Sequence, residues 1–120
     1  MKYTGTYLFT IENGQVPFPW DINTEDENMW VIFRRSESEN PICFILNIAD
    51  YEEIVRIGHK YSDDFSIIAK GDFVPDKSNT WTVPDAVADF VKGDKIDFIG
   101  LDTRIEIFGK NNYDENEQYF

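Results

Sequence analysis

The stretch PDKSNTWTVP, residues 75 to 84, reads as the end of one strand, a polar turn and a second strand halted by a proline. TIENGQVPFP, residues 10 to 19, has the same build. Their closing prolines, Pro19 and Pro84, stand 65 residues apart in a chain of 120, and each unit is followed by a helical candidate and an apolar hairpin. A half of this kind, with about four short strands and one helix, exposes an apolar face that only a second half can cover. Two halves are therefore expected to close one core with approximate two-fold symmetry. The plainer alternative is chance recurrence, because strands that stop at proline are common.

Working outward from the turns, Tyr3 to Ile11 and Val16 to Phe18 read as strands, and MWVIF (29 to 33) and ICFILNI (42 to 48) as continuous apolar runs buried on both faces. The polar RRSESENP between them is a hairpin connection with a charged tip. DYEEIVRIGHKY (50 to 61) places Tyr51, Ile54, Val55, Gly58 and Tyr61 at helical spacing, with Asp50 and Glu53 placed as a capping pair. SDD at 62 to 64 ends that pattern, and FSIIAKGDFV (65 to 74) reads as a strand. After the second turn, Pro84 suits a helix start, Val87, Phe90 and Val91 form an apolar face, and Gly93 suits the stop. KIDFIGLDTRIEIF (95 to 108) alternates on either side of GLDT, a hairpin signal. The tail DENEQYF, 114 to 120, reads as a frayed helical turn or as disorder.

The totals suit one domain spanning 1–120, with one half over about 1–62 and the other over about 63–120. With 42% hydrophobic and 16% aromatic residues, the chain carries enough apolar surface for a core. Its single cysteine, Cys43, lies inside an apolar run, which excludes a disulfide framework and a cysteine zinc cluster and fits a reducing cytoplasm. No apolar run approaches a membrane span, and the N-terminal MKYTGTYLFT lacks the apolar segment of a secretion signal, so no membrane association is expected. Eleven Lys plus Arg against 23 Asp plus Glu leave a net charge of −12, which sets a repulsive average field against a phosphate backbone. The plainer reading of this acidity is a soluble, self-repelling surface.

Site chemistry is sparse. His59 follows Gly58 near a helix end, where the helix dipole favours a cation without any catalytic role. DINTEDEN begins like a calcium loop, but Asp26 stands at the glycine position and Ile32 at the bidentate Glu position, so no metal site is expected. The adjacent Asp63 and Asp64 are what 23 carboxylates give by chance. No P-loop, dinucleotide-binding glycine pattern, nucleophile elbow or zinc spacing occurs, and no cofactor or small-molecule ligand is indicated. Trp20, Trp30 and Trp81 read as core. Arg34 and Arg35, the only basic doublet, decorate the hairpin tip and are candidate contacts for an acidic partner chain.

DKSNTWTVPDAVADF (76 to 90) with DKIDFIGLDTRIEIF (94 to 108) resembles the second repeat of the MraZ family, bacterial proteins built from two AbrB-like (SpoVT-like) repeats. Asp76 falls on the family aspartate, Trp81 and Val83 on two apolar positions, Pro84 on the proline, and Gly100, Ile105, Glu106, Ile107 and Phe108 on the closing signature. The first half matches through Gly5, Thr6, Tyr7, Gly14, Val16, Phe18 and Pro19, with Cys43 where the family often has a cysteine. The resemblance implies an α+β fold, mainly β with short helices: a duplicated swapped-hairpin β-barrel with internal pseudo-two-fold symmetry. The segment between the halves is shorter than in typical members, which implies a reduced helix there.

In that family the turns grip DNA through a Lys and an Arg flanking a glycine. Here the first turn holds Asn13, Gly14 and Gln15, and the second holds Ser78, Asn79 and Thr80, with Lys77 beside them. A further family Arg, four positions past the proline, is replaced by Asn23 and Ala88. Asn79 tolerates a positive backbone angle, so the turn shape is expected to survive the loss of its cations. Each lost phosphate contact lowers the salt slope by about one, and each lost base contact costs about 1 to 3 kcal/mol. The resemblance therefore implies a cytoplasmic, non-enzymatic protein of transcription-regulator descent that keeps its scaffold and its protein partners or self-association. The alternatives are a regulator reading DNA through Asn13, Gln15, Ser78 and Thr80, since Asn and Gln pair with an adenine edge, and an enzyme with carboxylates converging in a pocket.

Overall fold

The computed structural model describes residues 2–22 and 27–109. Eight strands and two helices run through them in chain order: β1 (Thr6–Thr10), β2 (Gln15–Pro17), β3 (Asn28–Arg34), β4 (Ile42–Asn47), α1 (Ile48–Tyr61), β5 (Ser66–Asp72), β6 (Thr80–Thr82), α2 (Asp85–Val91), β7 (Lys95–Leu101) and β8 (Arg104–Gly109). The fold is mainly β, with six strands in one antiparallel sheet of order β1-β7-β8-β4-β3-β5 and a separate ribbon of β2 and β6. Exchanging β1 to β4 for β5 to β8 turns this order into its own reverse.

The sheet is open. β1 and β5 are its edges and do not pair with each other, so the expected closed barrel is not formed by hydrogen bonding. The enclosure is completed by side chains: the β2·β6 ribbon brings in Val16 and Trp81, and α2 brings in Val87 and Val91. Tyr3, Phe18, Trp30, Ile45, Trp81 and Phe98 lie in one continuous core drawn from both ends of the chain. Phe98 is within aromatic contact of Phe9, Phe18, Trp20 and Trp81.

The continuous apolar runs behave as their composition requires. Along β3, Trp30 and Ile32 enter this core while Met29, Val31 and Phe33 enter a second cluster on the opposite face, and β4 divides Cys43 and Ile45 from Phe44 and Leu46 in the same way. Tyr51, Ile54 and Val55 of α1 pack on that second cluster. The helix is thus what buries the outer face of these two strands, each buried side chain being worth about 1.5 to 3 kcal/mol. α1 runs to fourteen residues. Its cap is not Asp50: the Asn47 side chain accepts from the Asp50 amide at 2.8 Å, and the helix begins at Ile48.

The short helix after the second turn starts behind Pro84 and ends at Lys92, whose φ of 52° makes it the left-handed stop, one residue before Gly93. No helix follows Pro19 as far as Ile22, and Asn23 and Asp26 lie outside the described residues, as does the 114–120 tail. Among the described residues no helix is long and apolar enough to cross a membrane.

Candidate functional site

The two polar turns lie at opposite ends of the short ribbon of β2 and β6. In the first, Glu12 and Gln15 exchange backbone hydrogen bonds of 3.0 and 2.9 Å around Asn13 and Gly14, whose φ angles are 54° and 74°. Positive φ at both central residues is the two-residue hairpin turn that Asn-Gly favours. In the second, Asp76 donates to the Thr80 carbonyl at 2.9 Å and accepts from the Asn79 amide at 2.9 Å, so Lys77, Ser78 and Asn79 form a three-residue loop. Asn79 has φ 57°, the left-handed angle that such loops require at their third position, and Asp76 Oδ1 accepts from the Ser78 and Thr80 amides. The turn shape expected from Asn79 is therefore present.

β2 and β6 join the two turn segments in antiparallel register, pairing Gln15 with Thr82, Val16 with Trp81 and Pro17 with Thr80, so that the first turn adjoins Val83 and the second adjoins Phe18. Just beyond the pairing, Phe18 donates to the Asn79 carbonyl at 2.8 Å and Val83 donates to the Gly14 carbonyl at 2.9 Å. The two bonds are equivalents of one another at a spacing of 65 residues, the same spacing that separates Pro19 and Pro84.

What this pair of turns offers a ligand follows from where its side chains are used. Asn79 Nδ2 donates to the carbonyls of Phe18 and Trp20 at 2.9 and 2.8 Å, so its amide clamps the opposite half rather than facing outward. Gln15 Nε2 donates to Thr82 Oγ1 at 3.3 Å across the ribbon. Asn13, Gly14, Gln15, Lys77 and Ser78 are exposed, while Asn79 and Thr80 are half-buried. Lys77 is the one cation in the two turns and has Glu12 and Asp76 for company in them. Ala88 packs against the core, so the position four past the second proline points inward.

Arg34 and Arg35 share no hydrogen bond or groove with these turns. Arg34 ends β3 half-buried, with an Nε that has no hydrogen-bond partner, and exposed Arg35 pairs with Glu39 through Nε and Oε2 at 2.7 Å. His59 lies edge-on to the Phe65 ring with centroids 5.0 Å apart, a packing role. Cys43 is wholly buried, and burial, followed by the nearby Glu106 charge, pushes its thiol far up, which leaves it protonated and inert. Trp30 and Trp81 are core as expected, and half-buried Trp20 donates from Nε1 to the Thr4 carbonyl at 2.9 Å.

Carboxylates do share a groove, one of about 930 Å³ beside the second turn, where Asp21, Glu27, Asp72 and Asp76 line the walls with Tyr51 and Lys70. All four are exposed, Asp76 Oδ1 is taken by the turn amides, and Lys70 Nζ donates to the Tyr51 hydroxyl at 3.2 Å. No desolvated acid is held against a partner here. No three His, Cys, Asp or Glu side chains among the described residues are grouped to hold a metal. The feature that sequence reading missed is toward the C-terminal end of α1: Arg104 lies over the Phe44 ring at 4.9 Å, between strands far apart in sequence, and no local pattern signals it.

No protein-family model matches the chain, and no curated protein matches it.

Proposed function

We propose that this chain is a non-enzymatic, MraZ-like protein of swapped-hairpin descent that works through protein contacts and no longer grips DNA. The order β1-β7-β8-β4-β3-β5 supports the swapped-hairpin reading, because each half's first strand pairs only with the other half's hairpin. The matching turns, with positive φ at Gly14 and Asn79 and mutual bonds to Val83 and Phe18, support a duplication behind that order. The observation that carries the functional reading is the inward use of Asn79: its Nδ2 donates to the Phe18 and Trp20 carbonyls, and Lys77 is the one cation in two turns that also hold the acids Glu12 and Asp76. With Lys77 as their one cation, the two turns can release about one counterion from a duplex, too few for an ordinary grip.

The exposed Gln15 and Asn13 favour the second reading, a regulator that reads adenine edges from the first turn. Titration of bacterial promoter DNA at low salt, followed by anisotropy, separates the two. The expected outcome is no saturable, sequence-dependent complex; a saturable complex abolished by Gln15→Ala establishes the second reading instead. Light scattering on the native particle tests self-association independently.

A further inference from the structure

The groove between the C-terminal half of α1 and the outer face of β4 and β8 combines an apolar lining with an arginine that makes no hydrogen bond or salt bridge among the described residues. It has a volume of about 350 Å³ and is lined by Phe33, Phe44, Ile57, Tyr61, Phe65 and Arg104, among others. Tyr61 is 74% and Ile57 41% exposed, although both belong to a helix otherwise applied to the sheet by its apolar side. Among the described residues Arg104 makes no hydrogen bond or ion pair within 4 Å: its guanidinium carbon lies 4.9 Å from the centre of the Phe44 ring, and its Nε is buried without a hydrogen-bond partner. Arg35, at the groove's rim, is satisfied by Glu39. Glu106 stands near both arginines but does not line the groove; burial raises its carboxyl and the Arg104 and Arg35 charges oppose the rise.

From this geometry we infer that the groove is a docking site for an acidic amphipathic segment of a partner protein, a bulky apolar side chain covering Ile57 and Tyr61 and a carboxylate received by Arg104. Charge complementarity selects the occupant. A chain of net charge −12 attracts basic partners over most of its surface, yet the lining of this groove carries Arg35 and Arg104 and no acid, so a cation would be repelled at contact and a carboxylate received. Arg, Tyr and Phe set in a partly desolvated depression also have the make-up of the few residues that dominate protein interfaces. The site shares no residue with the paired turns, and it rests on the protein-contact reading above.

The test is fluorescence anisotropy with two labelled peptides, a repeat of Glu-Glu-Leu-Phe and the same repeat with Lys for Glu, against the whole chain. Saturable binding of the acidic peptide, weakened about tenfold by Arg104→Gln and severalfold by Tyr61→Ala, and unchanged by Arg56→Gln on the exposed side of the same helix, is the expected result. Should Arg104→Gln fail to fold, Tyr61→Ala at its exposed position carries the same comparison. Absence of acidic-peptide binding, indifference to Tyr61→Ala, or equal Tyr61-dependent binding of the lysine peptide overturns the inference. Promoter DNA titrated against the same proteins keeps the two readings apart: DNA binding by the unaltered chain defeats the proposed function, whereas failed peptide binding without DNA binding defeats only the groove.

Discussion

Asn79 carries three demands at once, a φ of 57° and two side-chain hydrogen bonds to carbonyls of the other half. Glycine meets only the first. Asn79→Gly should therefore cost about 1 to 2 kcal/mol, the loss of two partly buried hydrogen bonds, and Asn79→Ala about 1 kcal/mol more because alanine resists the left-handed region. The order Asn, Gly, Ala in urea midpoints checks this; equal midpoints for Asn and Gly would show that the clamp contributes nothing. Sequence reading saw that Asn79 could bend the backbone but not that its amide is consumed, because Phe18 and Trp20 reach it only through the ribbon. Glu106 gives a second residue-scale prediction. Burial raises its carboxyl and the Arg104 and Arg35 charges oppose the rise, so the folded state binds a proton more readily than the unfolded chain. That contribution is favourable below the ordinary carboxyl range and is lost as pH rises through the folded value. Glu106→Gln should then be slightly more stable than the unaltered chain at pH 7, by less than about 0.5 kcal/mol after solvent screening, and the gain should shrink as pH falls to 4. Thermal melts at the two pH values show it, and a loss at pH 7 would mean that the arginines outweigh burial.

At the scale of elements, α1 shows two forces in opposition at one position. Gly58 lies in the middle of a helix, where alanine is ordinarily favoured by about 1 kcal/mol. A Cβ at Gly58 would overlap the ring of Phe65, which is buried in the second cluster and is not free to swing away. Overpacking of that kind costs about 1 to 3 kcal/mol, so packing wins and Gly58→Ala should lower the unfolding free energy by about 1 kcal/mol. A midpoint shifted upward in urea would mean that Phe65 yields instead. The helix was legible from the spacing of Tyr51, Ile54, Val55 and Gly58, but its start was not. ILNIADYEE carries the capping pattern twice, at Asn47 with Asp50 and at Asp50 with Glu53, and the earlier frame prevails because β4 runs into α1 without a loop. The far end of the same stripe misled in the opposite direction: Tyr61 has the spacing of a core residue but projects past the sheet. Helical periodicity states which side a residue is on, not where the opposing surface stops.

For the whole molecule, the mainly β layout with helices was legible before any long-range contact was visible, since apolar runs, polar turns and prolines mark its elements in sequence. Closure was not legible. Strand patterns do not say whether β1 and β5 meet, and here they remain edges, with the interior covered by the ribbon and α2 instead. The exposed groove was equally invisible, because Phe44, Tyr61 and Arg104 come together only through β4·β8 pairing and the lie of α1. The layout nonetheless makes a strict demand on folding. Within residues 2–62 the one extended pairing is β3 with β4, and within 63–109 it is β7 with β8; β1, β2, β5 and β6 take their partners from across the chain. A lone hairpin is at best marginally stable in water. Peptides 1–62 and 63–120 should therefore each lack a cooperative unfolding transition, while the intact chain melts once. Tryptophan fluorescence reports both parts, through Trp30 on β3 and Trp81 on β6, and should coincide with far-UV circular dichroism across a urea titration. Refolding should be slow for a chain this short, in milliseconds to seconds, because pairing Val16 with Trp81 closes a loop of 65 residues before any ribbon contact forms. Two separate transitions, or a half that folds by itself, would show that the halves do not depend on each other and would remove the basis for reading the strand order as an exchange between them.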